Sequence, residues 1–226
     1  MRNALKKFTM IGAATVALAM AGAASAAPVI TKGNTGGLSD SNVIFNACSG
    51  NTTSGTTIQG CLNDAHDIFV NFTSNETLEI QGGGQARIDS DDGRFDLLTI
   101  ALADETLGFG SLILNVRAAQ GDTGDLFFDI ALASGATFTS DFYGIGNGQN
   151  FFTLLAPEGD LFTSVTVQSA AGDNSVQFAD VRQVRIGGVA EIDQGGGGLP
   201  VPEPGAIGLL GLGLVAVGFG RRRKAA

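Results

Sequence analysis

Between Asp67 and Ile186 apolar and polar residues alternate in short runs separated by Gly, Asp and Asn, and no run keeps the period of a long amphipathic helix. Asp67-Ile68-Phe69-Val70-Asn71-Phe72 reads as a strand. Thr77 to Ile80 pairs with Ala86 to Asp89 across Gly82-Gly83-Gly84. Phe95 to Leu102, Ser111 to Arg117, Leu126 to Ala131, Ala136 to Thr139 and Asn150 to Leu155 follow. Phe162 to Gln168, Ser175 to Phe178 and Val181 to Ile186 complete about ten strands. The 34 Gly and 15 Phe suit turns and half-buried pleated surfaces. An all-β, antiparallel sandwich or jelly-roll-like body is the expectation.

Both ends depart from this pattern. Arg2, Lys6 and Lys7 precede an apolar run from Phe8 to about Ala23, and Ala24-Ser25-Ala26 then forms a small-x-small site before Ala27. Residues 1–26 therefore read as a signal peptide, cut between Ala26 and Ala27. At the other end, Gly195 to Gly198 interrupt the chain, and Val201-Pro202-Glu203-Pro204 follow. Gly205 to Gly220 are sixteen residues without a charge, and Arg221-Arg222-Arg223-Lys224 close the segment. As a helix that stretch reaches ~24 Å, somewhat short of a ~30 Å hydrocarbon core. Snorkelling arginines or a thinned bilayer let it span, and the basic cluster stays on the cytoplasmic side. The expected plan is a signal peptide (1–26), a β-sandwich body (27–194), a Gly-rich linker (195–200) and a C-terminal sorting segment with a short transmembrane helix (201–226).

The Pro-Glu-Pro motif, the Gly/Leu-rich span and the terminal arginine cluster, in that order, resemble the PEP-CTERM sorting domain. The resemblance covers the chain from Leu199 to Ala226 and implies a substrate of exosortase. Such proteins are held transiently in the inner membrane, cut near the motif and passed to the cell surface or extracellular matrix. There they are associated with exopolysaccharide and biofilm. Val201, Pro202, Glu203 and Pro204 would then be recognition residues, and Arg221, Arg222, Arg223 and Lys224 a membrane stop.

Charge agrees with export. All 22 acidic residues lie between Asp40 and Glu203, whereas seven of the 13 basic residues sit at the two termini. Residues 27–204 therefore carry six basic residues and a net charge of −16, which opposes binding to nucleic acid or anionic lipid. The two cysteines, Cys48 and Cys61, are expected to pair in an oxidising compartment, clamping a Gly/Ser/Thr/Asn-rich loop.

Catalytic chemistry is hard to assemble. His66 is the one histidine, so a nucleophilic triad or a zinc site lacks ligands. Gly144-Ile145-Gly146-Asn147-Gly148 lies between strands, without the helix that a phosphate loop requires. Asp89, Asp91 and Asp92 beside Gly93 offer hard oxygen donors for a structural calcium ion, with Asp96 near by. The main expectation is a non-enzymatic surface or matrix protein without a cofactor. The second is a calcium-assisted carbohydrate-binding module, with Phe142, Tyr143, Phe151 and Phe152 as candidate aromatics. The third is a hydrolase using a carboxylate pair.

Overall fold

A computed structural model describes residues 26–35, 40–82 and 87–192. Among these the chain forms β1 (Val29–Lys32), β2 (Ser41–Ile44), β3 (Ser54–Leu62), β4 (Ala65–Gln81), β5 (Arg87–Ser90), β6 (Leu97–Leu102), β7 (Leu107–Gly108) and β8 (Ser111–Ala118). Then come β9 (Gly124–Leu132), β10 (Thr137–Thr139), β11 (Tyr143–Ile145), β12 (Asn150–Leu155), β13 (Phe162–Ser169), β14 (Phe178–Gly187) and β15 (Ala190–Glu191). Among the described residues the single helical turn is the 3-10 segment Gly172–Asn174. The expected membrane span and sorting residues lie outside the described residues.

Every pairing is antiparallel, and the main sheet runs β1-β12-β8-β14-β2-β3-β4-β6-β13-β9-β10, with β11 on β9 and β5 between β14 and β4. The path folds into two layers because β4 is long enough to serve both. Its first half, Val70 to Thr73, pairs with β6, and its last four residues, Leu78 to Gln81, pair with β5. β5 in turn pairs with β14. A second join runs from β14 through β2 to β3. One layer is thus β1-β12-β8-β14, edged by β2 and β5. The other is β3-β4-β6-β13-β9, edged by β10 and β11. At the far edge Lys32 Nζ donates to the Gly144 carbonyl at 2.5 Å, linking β1 to β11 across the two layers.

Alternation decides which side chains meet between the layers. Ile58, Val70, Phe72, Leu98, Ile100, Val165, Val167, Phe128 and Ile130 point in from one sheet; Leu112, Leu114, Val116, Phe152, Leu154, Val181 and Ile186 point in from the other. The aromatic rings lock the layers together. Phe128 on β9 meets Phe152 on β12 edge-on at 5.2 Å between centroids, and Tyr143 packs on both. Fully burying one such side chain contributes roughly 1.5–3 kcal/mol.

Cys48 and Cys61 form the expected disulfide, with Cα atoms 5.7 Å apart. The segment it clamps is only partly loop, because Ser54 to Leu62 form β3 and Cys61 is wholly buried. Two further expectations change. Residues 67–72 and 77–80 belong to one continuous 17-residue strand rather than two. Ser175 to Phe178 is no separate strand, since the chain leaves the 3-10 turn at Ser175 and β14 begins at Phe178. The hairpin expected of Thr77 to Ile80 with Ala86 to Asp89 is present as Leu78 to Gln81 paired with Arg87 to Ser90, Ile80 facing Ile88.

Candidate functional site

The two outer faces differ in chemistry. The six basic residues of the body are Lys32, Arg87, Arg94, Arg117, Arg182 and Arg185. Five sit on β1, β5, β8 and β14, and Arg94 lies in the turn after β5. The strands of the opposite sheet, β3, β4, β6, β9, β10 and β13, contain no Lys or Arg.

On the arginine-bearing face the charges engage one another. Asp180 is 2% exposed. It accepts Arg182 Nε at 2.6 Å through one oxygen and Arg182 Nη2 through the other, a two-pronged pair, and Arg117 Nη1 reaches it at 3.4 Å. Arg182 is held protonated above the usual guanidinium range, first by its bond to Asp180. Arg87 lies 2.9 Å from Asp89. Burial pushes the Asp89 carboxyl upward; Arg87 opposes this, while Asp180 adds to it. Next to this cluster β14 bulges at Gln183, which has φ of 53°. Gln183 Oε1 accepts Asn115 Nδ2 at 3.1 Å, and the fully buried Asn115 accepts the Asn150 backbone N–H at 2.9 Å. These bonds hold a left-handed non-glycine residue in place. The chain between β1 and β2 touches this same face: Thr153 Oγ1 donates to the Gly33 carbonyl at 2.9 Å, and Ser111 Oγ donates to Asp40. Asp40 sits where a side chain on Gly187 would be, 2.0 Å from an added Cβ.

The opposite face presents a row across six strands made of five threonine hydroxyls and one carboxylate. Thr57, Thr73, Thr99, Thr166, Asp129 and Thr139 stand in register on β3, β4, β6, β13, β9 and β10. Thr57 and Thr73 share a hydrogen bond at 3.0 Å, Thr99 and Thr166 one at 2.8 Å, and Thr139 donates to Asp129 at 2.6 Å. Gln168 Nε2 also donates to Asp129. The neighbouring row is Gln59, Asn71, Ala101, Ser164 and Ala131. Gln59 Nε2 donates to Asn71 Oδ1 at 2.9 Å. Small residues in the middle of this row leave an open groove of about 370 Å³, bounded by Asn71, Ala101, Ala103, Glu105, Leu107 and Ser164. On the other side of the threonine row stand Leu97 and Phe127, and Phe142, 65% exposed, meets Phe127 edge-on.

The sequence-predicted candidates separate on these faces. Asp89 turns to Arg87. Asp92 instead accepts Ser90 Oγ and the Arg94 N–H, which hold its carboxyl below the usual range, and Asp91 is exposed. The three are not brought together, and among the described residues no group of three His, Cys, Asp or Glu is placed to hold a metal ion. His66 is exposed near the start of β4. Of the four aromatics, Phe142 alone is exposed; Phe152 is core, and Tyr143 and Phe151 are half-buried. Ala26 and Ala27 lead into β1, whereas Ala24, Val201 to Pro204 and Arg221 to Lys224 lie outside the described residues. The threonine row was missed because it exists only once strands far apart in sequence are placed in register.

Residues 200–224 match the PEP-CTERM protein-sorting motif, the C-terminal sorting signal of exosortase substrates. No curated protein matches the chain. Among solved structures, a point variant of a family 29 carbohydrate-binding module is 15% identical, covering 71% of this chain and 91% of its own, with a TM-score of 0.33. A second variant of that module, complexed with mannohexaose, is 13% identical, covering 66% and 89%, with a TM-score of 0.32. Likenesses this distant say nothing of what this chain binds.

Proposed function

We propose that this is a non-enzymatic protein, exported across the inner membrane, released by exosortase and retained at the cell surface or in an exopolysaccharide-rich biofilm matrix. The observation that carries the reading is the sorting signal at residues 200–224, behind a body whose cysteines are paired as an oxidising compartment allows. The body adds support. A net charge of −16 over residues 27–204 keeps it soluble and away from anionic lipid once the tail is removed. Its lone histidine stands exposed, with no nucleophile bonded to it among the described residues.

Mass spectrometry of the protein recovered from its host tests this directly. The expected species starts near Ala27 and ends close to Pro202–Pro204. An externally located protein that retains Arg221 to Lys224 would contradict exosortase release. Retention on the host's own exopolysaccharide, above that of an acidic control protein, checks the matrix assignment.

A further inference from the structure

We infer that the face lacking basic residues binds an uncharged, extended polysaccharide, lying across the strands along the threonine row with one end against Phe142. The inference rests on the matrix reading above and names the surface and the glycan class.

Hydrogen-bonding capacity comes first. Two threonine hydroxyls that share one hydrogen bond still have a second proton and free lone pairs. The exposed pair Thr57–Thr73 and the half-buried pair Thr99–Thr166 therefore keep both donors and acceptors for a ligand. A sugar hydroxyl offers the same mixture in return. The β-branched side chains are already held by their strands and by each other, so little rotamer freedom is lost on contact. At ~4.8 Å between strands the six-residue row spans about 24 Å, long enough for several sugar rings.

Shape and charge narrow the class. The groove over Ala101 and Ser164 runs beside the row and has the size of a small-ligand site. Its polar rim is Asn71, Thr163, Ser164 and Glu105. The charges on this face are acidic, Asp129 and Glu105, on a body already strongly negative. A glycan bearing carboxylate, sulfate or phosphate would be repelled. Phe142 supplies the remaining element. It is a large exposed ring braced edge-on by Phe127, against which the apolar C–H side of a pyranose can be buried. The opposite face suits an anionic chain less well than its arginines suggest, since Asp180 and Asp89 already occupy three of them.

The test uses the mature protein in affinity electrophoresis and calorimetry. Soluble mannan, xylan and laminarin are the neutral probes, and alginate the anionic one. At least one neutral probe is expected to bind, and alginate is not. Replacing Thr99→Val together with Thr166→Val keeps side-chain shape, and losing their bonds to the glycan should weaken binding about tenfold or more. Phe142→Ala should also weaken it, with the melting temperature unchanged because that ring lies outside the core. Binding to no neutral probe overturns the inference. So does neutral-probe binding that both variants leave intact, or alginate binding that Arg182→Ala abolishes. Retention on the host exopolysaccharide that ignores Thr99 and Thr166 sinks this face while leaving the matrix reading standing.

Discussion

The two outer faces solve the problem of a polar sheet surface in opposite ways. On the β12-β8-β14 side, acid and base are set against each other at short range, and the chain between β1 and β2 touches down on the same surface. Polar groups there are spent on holding the fold. On the β3-β4-β6-β13-β9 side threonine hydroxyls form a half-exposed row in which Asp129 is the one charged group. Buried charge is costly without partners, so the two-pronged pair at Asp180 marks a place where structure is fixed. Hydroxyls cost less to keep and to desolvate than buried charge, which is what a contact surface needs. Charge segregation between the sheets therefore separates a structural face from the face proposed for recognition.

The largest effect should come from the structural side. Asp180→Ala leaves Arg182 and Arg117 without their shared anion and should cost about 3–5 kcal/mol in urea unfolding. A cost no greater than that of altering the threonine row would erase the distinction between the faces. Removing the clamp at the β2–β3 join with Cys48→Ser and Cys61→Ser should cost ~3 kcal/mol, read from the same curves. Gly187→Ala places a methyl group against Asp40 and Ser111 and should cost about 1–3 kcal/mol. On the recognition side, Thr99→Val with Thr166→Val should change stability by under about 1 kcal/mol, read from the melting temperature.

The smallest effect is a slope with pH. The Asp89 carboxyl is raised by burial, so the folded state holds that proton more tightly than the unfolded one. Its stability contribution is present in full below the ordinary carboxylate range and is lost as pH rises through the folded value. Asp92 and Asp104 are lowered by their hydrogen bonds, and their contributions vanish as pH falls instead. Asp89→Asn should therefore gain on the native protein as pH moves from about 3 to about 7. A parallel pair of stability curves would show that Asp89 is not desolvated as the structure indicates.

Much of the scaffold was legible from local pattern. Asn150 to Leu155, a short run dominated by Phe and Leu, is β12 to the residue; Gly82 to Gly84 correctly announced the hairpin between Ile80 and Ile88. The disulfide followed from a simple inventory, since two cysteines in an exported chain leave one pairing. β3 was hidden because Ser, Gly and Thr read as loop when their partner strand is out of view. The acidic turn was misleading for the same reason: Ser90, Arg94 and Arg87 already engage Asp92 and Asp89, and sequence alone does not display those partners. The threonine row needs the register of six strands, two of which, β6 and β13, come from stretches more than sixty residues apart. Long-range pairing of that kind leaves no local signature.

The first strand of the body pairs with one that arrives very late. β1 is hydrogen-bonded along β12, and the contact between Gly33 and Thr153 joins residues 120 positions apart. A polypeptide threaded through a translocation channel from its leading end delivers β1 long before its partner. Until then that strand has nowhere to dock, and topology of this kind folds slowly because distant segments must first meet.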